Sequence, residues 1–120
     1  MHNKNLAIIK LNQALIKRFG AGCFVPSDAS DKLGANHVVF TSVFDKRIKL
    51  SVVVEEHGPR KGHYSIQVET NYGEPNFDIP VVKDNLSIED VLNTFAAYQR
   101  LHNKGIQRIA KNPAPADARR

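Results

Sequence analysis

The stretches His37-Val38-Val39-Phe40-Thr41-Ser42-Val43-Phe44, Ile48-Lys49-Leu50-Ser51-Val52-Val53-Val54 and Tyr64-Ser65-Ile66-Gln67-Val68-Glu69 decide the fold. A β-strand sends successive side chains to opposite sides, so a two-residue apolar repeat marks a strand with one buried face. Val38, Phe40, Ser42 and Phe44 fall on one face with Ile48, Leu50, Val52, Val54, Tyr64, Ile66 and Val68. The other face is mixed: Val39, Thr41, Val43, Lys49, Ser51, Val53, Glu55, Ser65, Gln67 and Glu69. That pattern predicts an antiparallel sheet with one uncovered side. Asp45-Lys46 reads as a tight turn and Glu56 to Gly62 as a longer loop, which makes a meander the simplest topology.

Working outward, Phe77, Ile79 and Val81 alternate once more, and Pro80, lacking an amide proton, confines residues 77–82 to an edge strand if they pair as a fourth. Before the strands, Ile8, Leu11, Leu15 and Phe19 recur at helical spacing, with Ile9 and Ile16 widening the stripe and Asn12 inside it. Gly20 stands where this helix should end. Residues 20–35 form a long connection anchored by Phe24 and Val25, in which Ser27 to Gly34 forms one capped helical turn. After the strands, Ser87 and Asp90 form a capping box, Leu86 and Val91 a hydrophobic staple, and a helix starts at Ile88. Its apolar face, Ile88, Val91, Leu92, Phe95, Ala96, Ile106 and Ile109, is interrupted by Gln99, His102 and Asn103. The helix either overruns the sheet or breaks at Gly105, and Tyr98 and Leu101 point away from the inward stripe.

The expected fold is therefore α+β: an N-terminal helix, a three- or four-stranded antiparallel meander and a long C-terminal helix, with both helices on one face of the sheet. A chain of 120 residues fits one domain, assigned to residues 1–111, with 112–120 as a disordered Pro/Ala/Arg tail. Its 42% hydrophobic and 24% charged residues are those of an ordinary globular protein. One cysteine, Cys23, cannot close an internal disulfide, and Lys10 interrupts the N-terminal apolar run before it reaches signal-peptide length. Together with the lack of a membrane-length apolar run, these features predict a cytoplasmic protein, without membrane partner, as a monomer or homodimer.

The charge of +5 is unevenly spread. Lys4, Lys10, Lys17 and Arg18 occupy the first twenty residues without an anion, whereas Glu69, Glu74, Asp78, Asp84, Glu89 and Asp90 crowd residues 63–95 against Lys83. Arg100, Lys104, Arg108 and Lys111 then follow at spacings of four, four and three on one face of the last helix. Such a stripe can follow a phosphate backbone, which makes nucleic acid an alternative partner. The order helix, three strands, helix is shared with the double-stranded RNA-binding domain. That domain grips phosphates with lysines at the start of its second helix, where this chain places Ser87, Ile88, Glu89 and Asp90, so the likeness stops at element order.

Chemistry-bearing patterns are sparse. His57 and His63 flank Gly58-Pro59-Arg60-Lys61-Gly62 behind Glu55 and Glu56, which allows a remote reading as zinc ligands or as the acid and base of a small hydrolase. The spacing matches no established ligand pattern, and a polar hairpin tip accounts for it. Gly20-Ala21-Gly22 lacks the strand, third glycine and helix of a dinucleotide-binding turn. Cys23 beside Phe24 reads as a small hydrophobe. Asn12, Gln99 and His102 raise the question of a small-ligand pocket, with hydrogen bonding at the core edge as the simpler account.

No catalytic residues, cofactor or metal are therefore assigned, and the expectation is a small non-enzymatic interaction module. The expected partner is a protein with an acidic surface, met through Val39, Val43, Lys49, Val53, Arg60, Lys61, Arg100, Leu101, Lys104 and Arg108. Small size and a compact, non-repeating fold suit inhibitors or adaptors of phages and mobile elements, such as anti-CRISPR or immunity proteins, although no motif points to any one of them.

Overall fold

The structure, a computed structural model, describes residues 4–43 and 45–111, with side chains described to residue 99. Two α-helices and a 3₁₀ turn accompany a five-stranded sheet: α1 (Leu6–Phe19), β1 (Phe24–Pro26), the turn (Asp28–Lys32), β2 (His37–Ser42), β3 (Lys49–Val54), β4 (Tyr64–Thr70), β5 (Asp78–Leu86) and α2 (Ile88–Lys111). The strands lie in chain order and every neighbouring pair is antiparallel, so the sheet is a meander.

Local chemistry sets the helix ends. The Asn5 side chain accepts the Ile8 amide at 3.0 Å, and Gly20 takes φ +92°, open to a residue without Cβ, while its amide bonds Ile16 O. At α2 the capping box forms in both directions: Asp90 N donates to Ser87 Oγ at 3.2 Å and Ser87 N to Asp90 Oδ2 at 3.3 Å. Arg18 near the end of α1 forms an ion pair with Glu89 in the first turn of α2.

One buried cluster contains Ile8, Leu11 and Leu15 of α1, Val91, Leu92 and Phe95 of α2, and the alternating residues Val38, Phe40, Leu50, Val52, Val54, Tyr64, Ile66 and Val68. Phe95 is fully buried and meets Phe24 and Phe40 edge-to-face, with centroids at 5.0 and 5.4 Å, so it joins α2 to β1 and β2. We call the strand face that enters this cluster the core face, and the opposite one the second face.

The sheet has five strands where three or four were expected. The additional strand is β1, whose three residues are too short to show an alternation and end at Pro26, at an edge where a missing amide costs no ladder bond. The run at 77–82 does pair, as β5, but it begins at Asp78 and continues through Lys83-Asp84-Asn85 to Leu86. Those polar residues hid its length, and the shifts in register between Tyr64 and Ile66 and between Val68 and Thr70 disturb its alternation. β2 ends at Ser42, so Val43 lies in a bend beyond it. Ile16, assigned to the buried stripe, is 44% exposed, whereas Tyr98, placed on the outward side, is half-buried against the core. α2 continues as one helix through Gly105 to Lys111. The tail assignment, 112–120, lies outside the described residues, as does Phe44.

The connection between β1 and β2 is ordered by Lys4. Its ammonium is buried and donates to Ser30 O at 2.6 Å, His37 O at 2.7 Å and Gly34 O at 3.0 Å, with Leu33 O at 3.4 Å. The ammonium thus gathers backbone carbonyls of residues 30 to 37 around one cation, two of which, Ser30 O and Gly34 O, also accept the Leu33 and His37 amides. Ser30, also buried, both donates to Val39 O and accepts Val39 N at 2.9 Å, mimicking a strand neighbour at the edge of β2. No helix among the described residues is long and apolar enough to cross a membrane.

Candidate functional site

The second face is built in rows. His37, Val53 and Ser65 face one another across β2, β3 and β4; Val39, Ser51, Gln67 and Val82 do so across β2 to β5; Thr41, Lys49 and Glu69 form the last row. The serines Ser51 and Ser65 are small, so larger neighbours rise around them and leave a solvent-open trough of about 810 Å³. Val39, Val53 and Val82 supply its apolar surface, and Val82, on the edge strand, is 71% exposed.

Polar groups in the trough are held in place. His37 Nε2 and Ser51 Oγ are 2.7 Å apart, and the Gln67 amide donates to Glu69 Oε2 at 3.1 Å. Burial, then the nearby Lys4 charge, lowers the His37 pKa below its ordinary value, which favours a neutral imidazole. Lys4 also bonds the His37 carbonyl, so one buried cation holds the start of β2 and adds to the burial that lowers the pKa of its side chain.

Charge is distributed asymmetrically around the trough. Asp84 forms an ion pair with Arg60 at 3.2 Å. Lys49 lies opposite Glu69 in register, yet its ammonium donates to Thr41 Oγ1 at 3.3 Å and stands 5.6 Å from the centroid of the Tyr72 ring. Neither Lys49 nor Lys83 forms a salt bridge among the described residues. Tyr72 and Phe77, edge-to-face at 6.2 Å, are both exposed.

Of the residues expected to meet a partner, Val39 and Val53 line the trough and Lys49 stands in the row at one end. Arg60 belongs to the opposite end, through Asp84. Lys61 is exposed in the β3–β4 loop and Val43 is exposed beyond β2, so neither lines the trough. Arg100, Leu101, Lys104, Arg108 and Lys111 are carried on α2, and their side chains lie outside the described residues, as does that of His102. Val82, Ser65 and His37 were not singled out as partner contacts. Ser65 and His37 sit in the same alternation as Val53, whereas the parity of Val82 becomes readable only once β5 is in register.

The two loop histidines do not assemble into a site. His63 Nδ1 lies 2.7 Å from Asn85 Oδ1 at the rim of a small cavity of about 40 Å³ lined also by Glu55, Arg60 and Asp84; His57 does not line it. Among the described residues no three His, Cys, Asp or Glu side chains group as metal ligands. Burial raises the Cys23 pKa against a smaller opposing hydrogen bond from Gln99, whose amide is 3.9 Å from the sulfur. A protonated, buried thiol is a poor nucleophile, as its apolar setting implied. No protein family, curated protein or solved structure matches the chain, so its geometry carries the functional argument.

Proposed function

We propose that this chain is a non-enzymatic interaction module that receives an acidic protein partner on the second face of its sheet. The reading includes the inference that α1 and α2 both cover the core face: residues of both helices share one buried cluster with the strand residues of that face, whereas the second face contributes none of its valines to it. The observation that carries the proposal is the trough itself. Three half-buried or exposed valines surround small serines, with polar groups fixed beforehand by hydrogen bonds.

The sheet edges favour the face over strand addition. β1 offers three residues ending in proline, and β5 carries Pro80, Lys83 and two register shifts, devices that discourage edge pairing. Among the described residues neither Lys49 nor Glu69, opposite it in register, forms a salt bridge, and Lys49 is the cation of this face that an acidic partner would meet. Arg100, Lys104 and Arg108, carried on α2, are proposed as further cations for that partner.

The test is partner capture by the tagged chain with and without nuclease, repeated with Val39→Lys and Val53→Lys combined. A discrete protein retained after nuclease and lost from the double variant supports the proposal. Retention by the double variant would remove the face as the site, and loss of all bound material on nuclease treatment would transfer the function to nucleic acid.

A further inference from the structure

Lys4 precedes α1 and is only 8% exposed, yet among the described residues no carboxylate forms a salt bridge with it. A buried charge without a counter-ion is costly unless dipoles replace its hydration. Here they do: the carbonyl oxygens of Ser30, His37 and Gly34 stand 2.6, 2.7 and 3.0 Å from Nζ, and that of Leu33 at 3.4 Å. All four belong to one segment, residues 30–37, which runs from the 3₁₀ turn to the start of β2. Ser30 O and Gly34 O each give one lone pair to a backbone amide and the other to the cation.

The donor set defines the ligand. Neutral oxygens suit a monovalent cation, whereas calcium and magnesium sites recruit carboxylates. An ammonium, with its three N–H donors, matches the three short contacts; a planar guanidinium fork is shaped for carboxylates and phosphates instead. Asn5 adds to the grip, since its amide donates to Ala35 O at 2.8 Å. Residues 4 and 5 are therefore fastened to the segment by hydrogen bonds, and the cation reaches His37, whose side chain lines the trough.

We infer that residues 30–37 form a receptor for a primary ammonium group, a site that the chain fills with its own Lys4 and that a free alkylammonium ion enters once that side chain is removed. Tethering gives Lys4 a high effective concentration, so free amines do not displace it. Residues 4 and 5 are then a strap whose closure orders the connection between β1 and β2, whatever partner the second face receives.

Lys4→Ala removes the side chain beyond Cβ, which has the make-up of a propylammonium ion, and urea unfolding of this variant tests the site. The probe is propylammonium chloride, compared with potassium chloride, tetramethylammonium chloride and n-propanol at the same concentration. The expected result is saturable stabilisation by propylammonium alone, the unfolding constant falling about elevenfold at about ten times its dissociation constant. Wild type and Lys4→Met, whose stem occupies the space, should respond no more to propylammonium than to the other salts. An equal effect of those salts, an equal effect of propanol, or an equal response of Lys4→Met would each overturn the receptor. Where Lys4→Ala is unfolded on its own, recovery of the folded signal with propylammonium is the supporting result and no recovery the opposing one. In the wild type, the ¹⁵N-labelled Lys4 ammonium should exchange its protons with water about tenfold or more slowly than that of the exposed Lys10. Equal exchange rates would also overturn the site.

Discussion

Val52 and Val53 are neighbours in β3 and identical in chemistry, yet the first is fully buried and the second half-exposed. The same contrast separates Val38 from Val39 in β2, and in β5 the half-buried Val81 from the exposed Val82. On the core face, apolar side chains join the buried cluster to which both helices contribute, and stabilise the fold. On the second face, the same residue type meets solvent and small polar neighbours, contributes little to folding and stays accessible. On the proposed function, stability and binding divide between alternate residues of the same strands, and substitutions should separate the two properties.

The largest expected effect is on the core side. Phe95→Ala removes the ring that meets Phe24 and Phe40, and should destabilise the protein by about 3–5 kcal/mol, read as a lower urea midpoint. Lys4→Met keeps the aliphatic stem but withdraws the donors from Ser30, Gly34 and His37 carbonyls, and should cost about 2–3 kcal/mol. A negligible change would mean that the carbonyls find water and that the buried ammonium does not organise the start of β2.

The paired substitutions Val52→Ala and Val53→Ala sharpen the comparison between faces. The first should cost about 2 kcal/mol and the second less than about 1 kcal/mol, while the second alone weakens partner capture. Equal costs in urea unfolding would contradict the division between faces.

The smallest effect concerns pH. The folded-state pKa of His37 lies below the unfolded value of 6.5, so the unfolded chain takes up the proton first as pH falls. Stability present above pH 6.5 should therefore decline as pH drops through the folded-state value. Unfolding midpoints for the wild type and His37→Gln should diverge above that range and converge toward acid.

Much of this architecture was legible because its signals are local and periodic. The two-residue repeats gave β2, β3 and β4, and the Ser87/Asp90 pair gave the start of α2. What escaped depends on tertiary context. β1 is too short to have a period, the extension of β5 reads as polar coil, and Ile16 and Tyr98 changed places because helix rotation against the sheet is set by packing. Val39, Val53 and Lys49 could be placed on the second face by parity. Val82 and the trough could not, because concavity arises from four strands in register with serines between larger residues. Lys4 looked like one more terminal cation; nothing in its neighbourhood of sequence reveals carbonyls that arrive from residues 30 to 37.

Valine methyl NMR of the chain with its captured protein partner tests the central claim most directly, because the two faces carry their own probes. The account predicts that methyl signals of Val39, Val53 and Val82 shift or broaden on binding while those of Val38, Val52 and Val68 stay in place. Perturbation confined to Val43 or to the core valines, with the three trough valines unmoved, would contradict it.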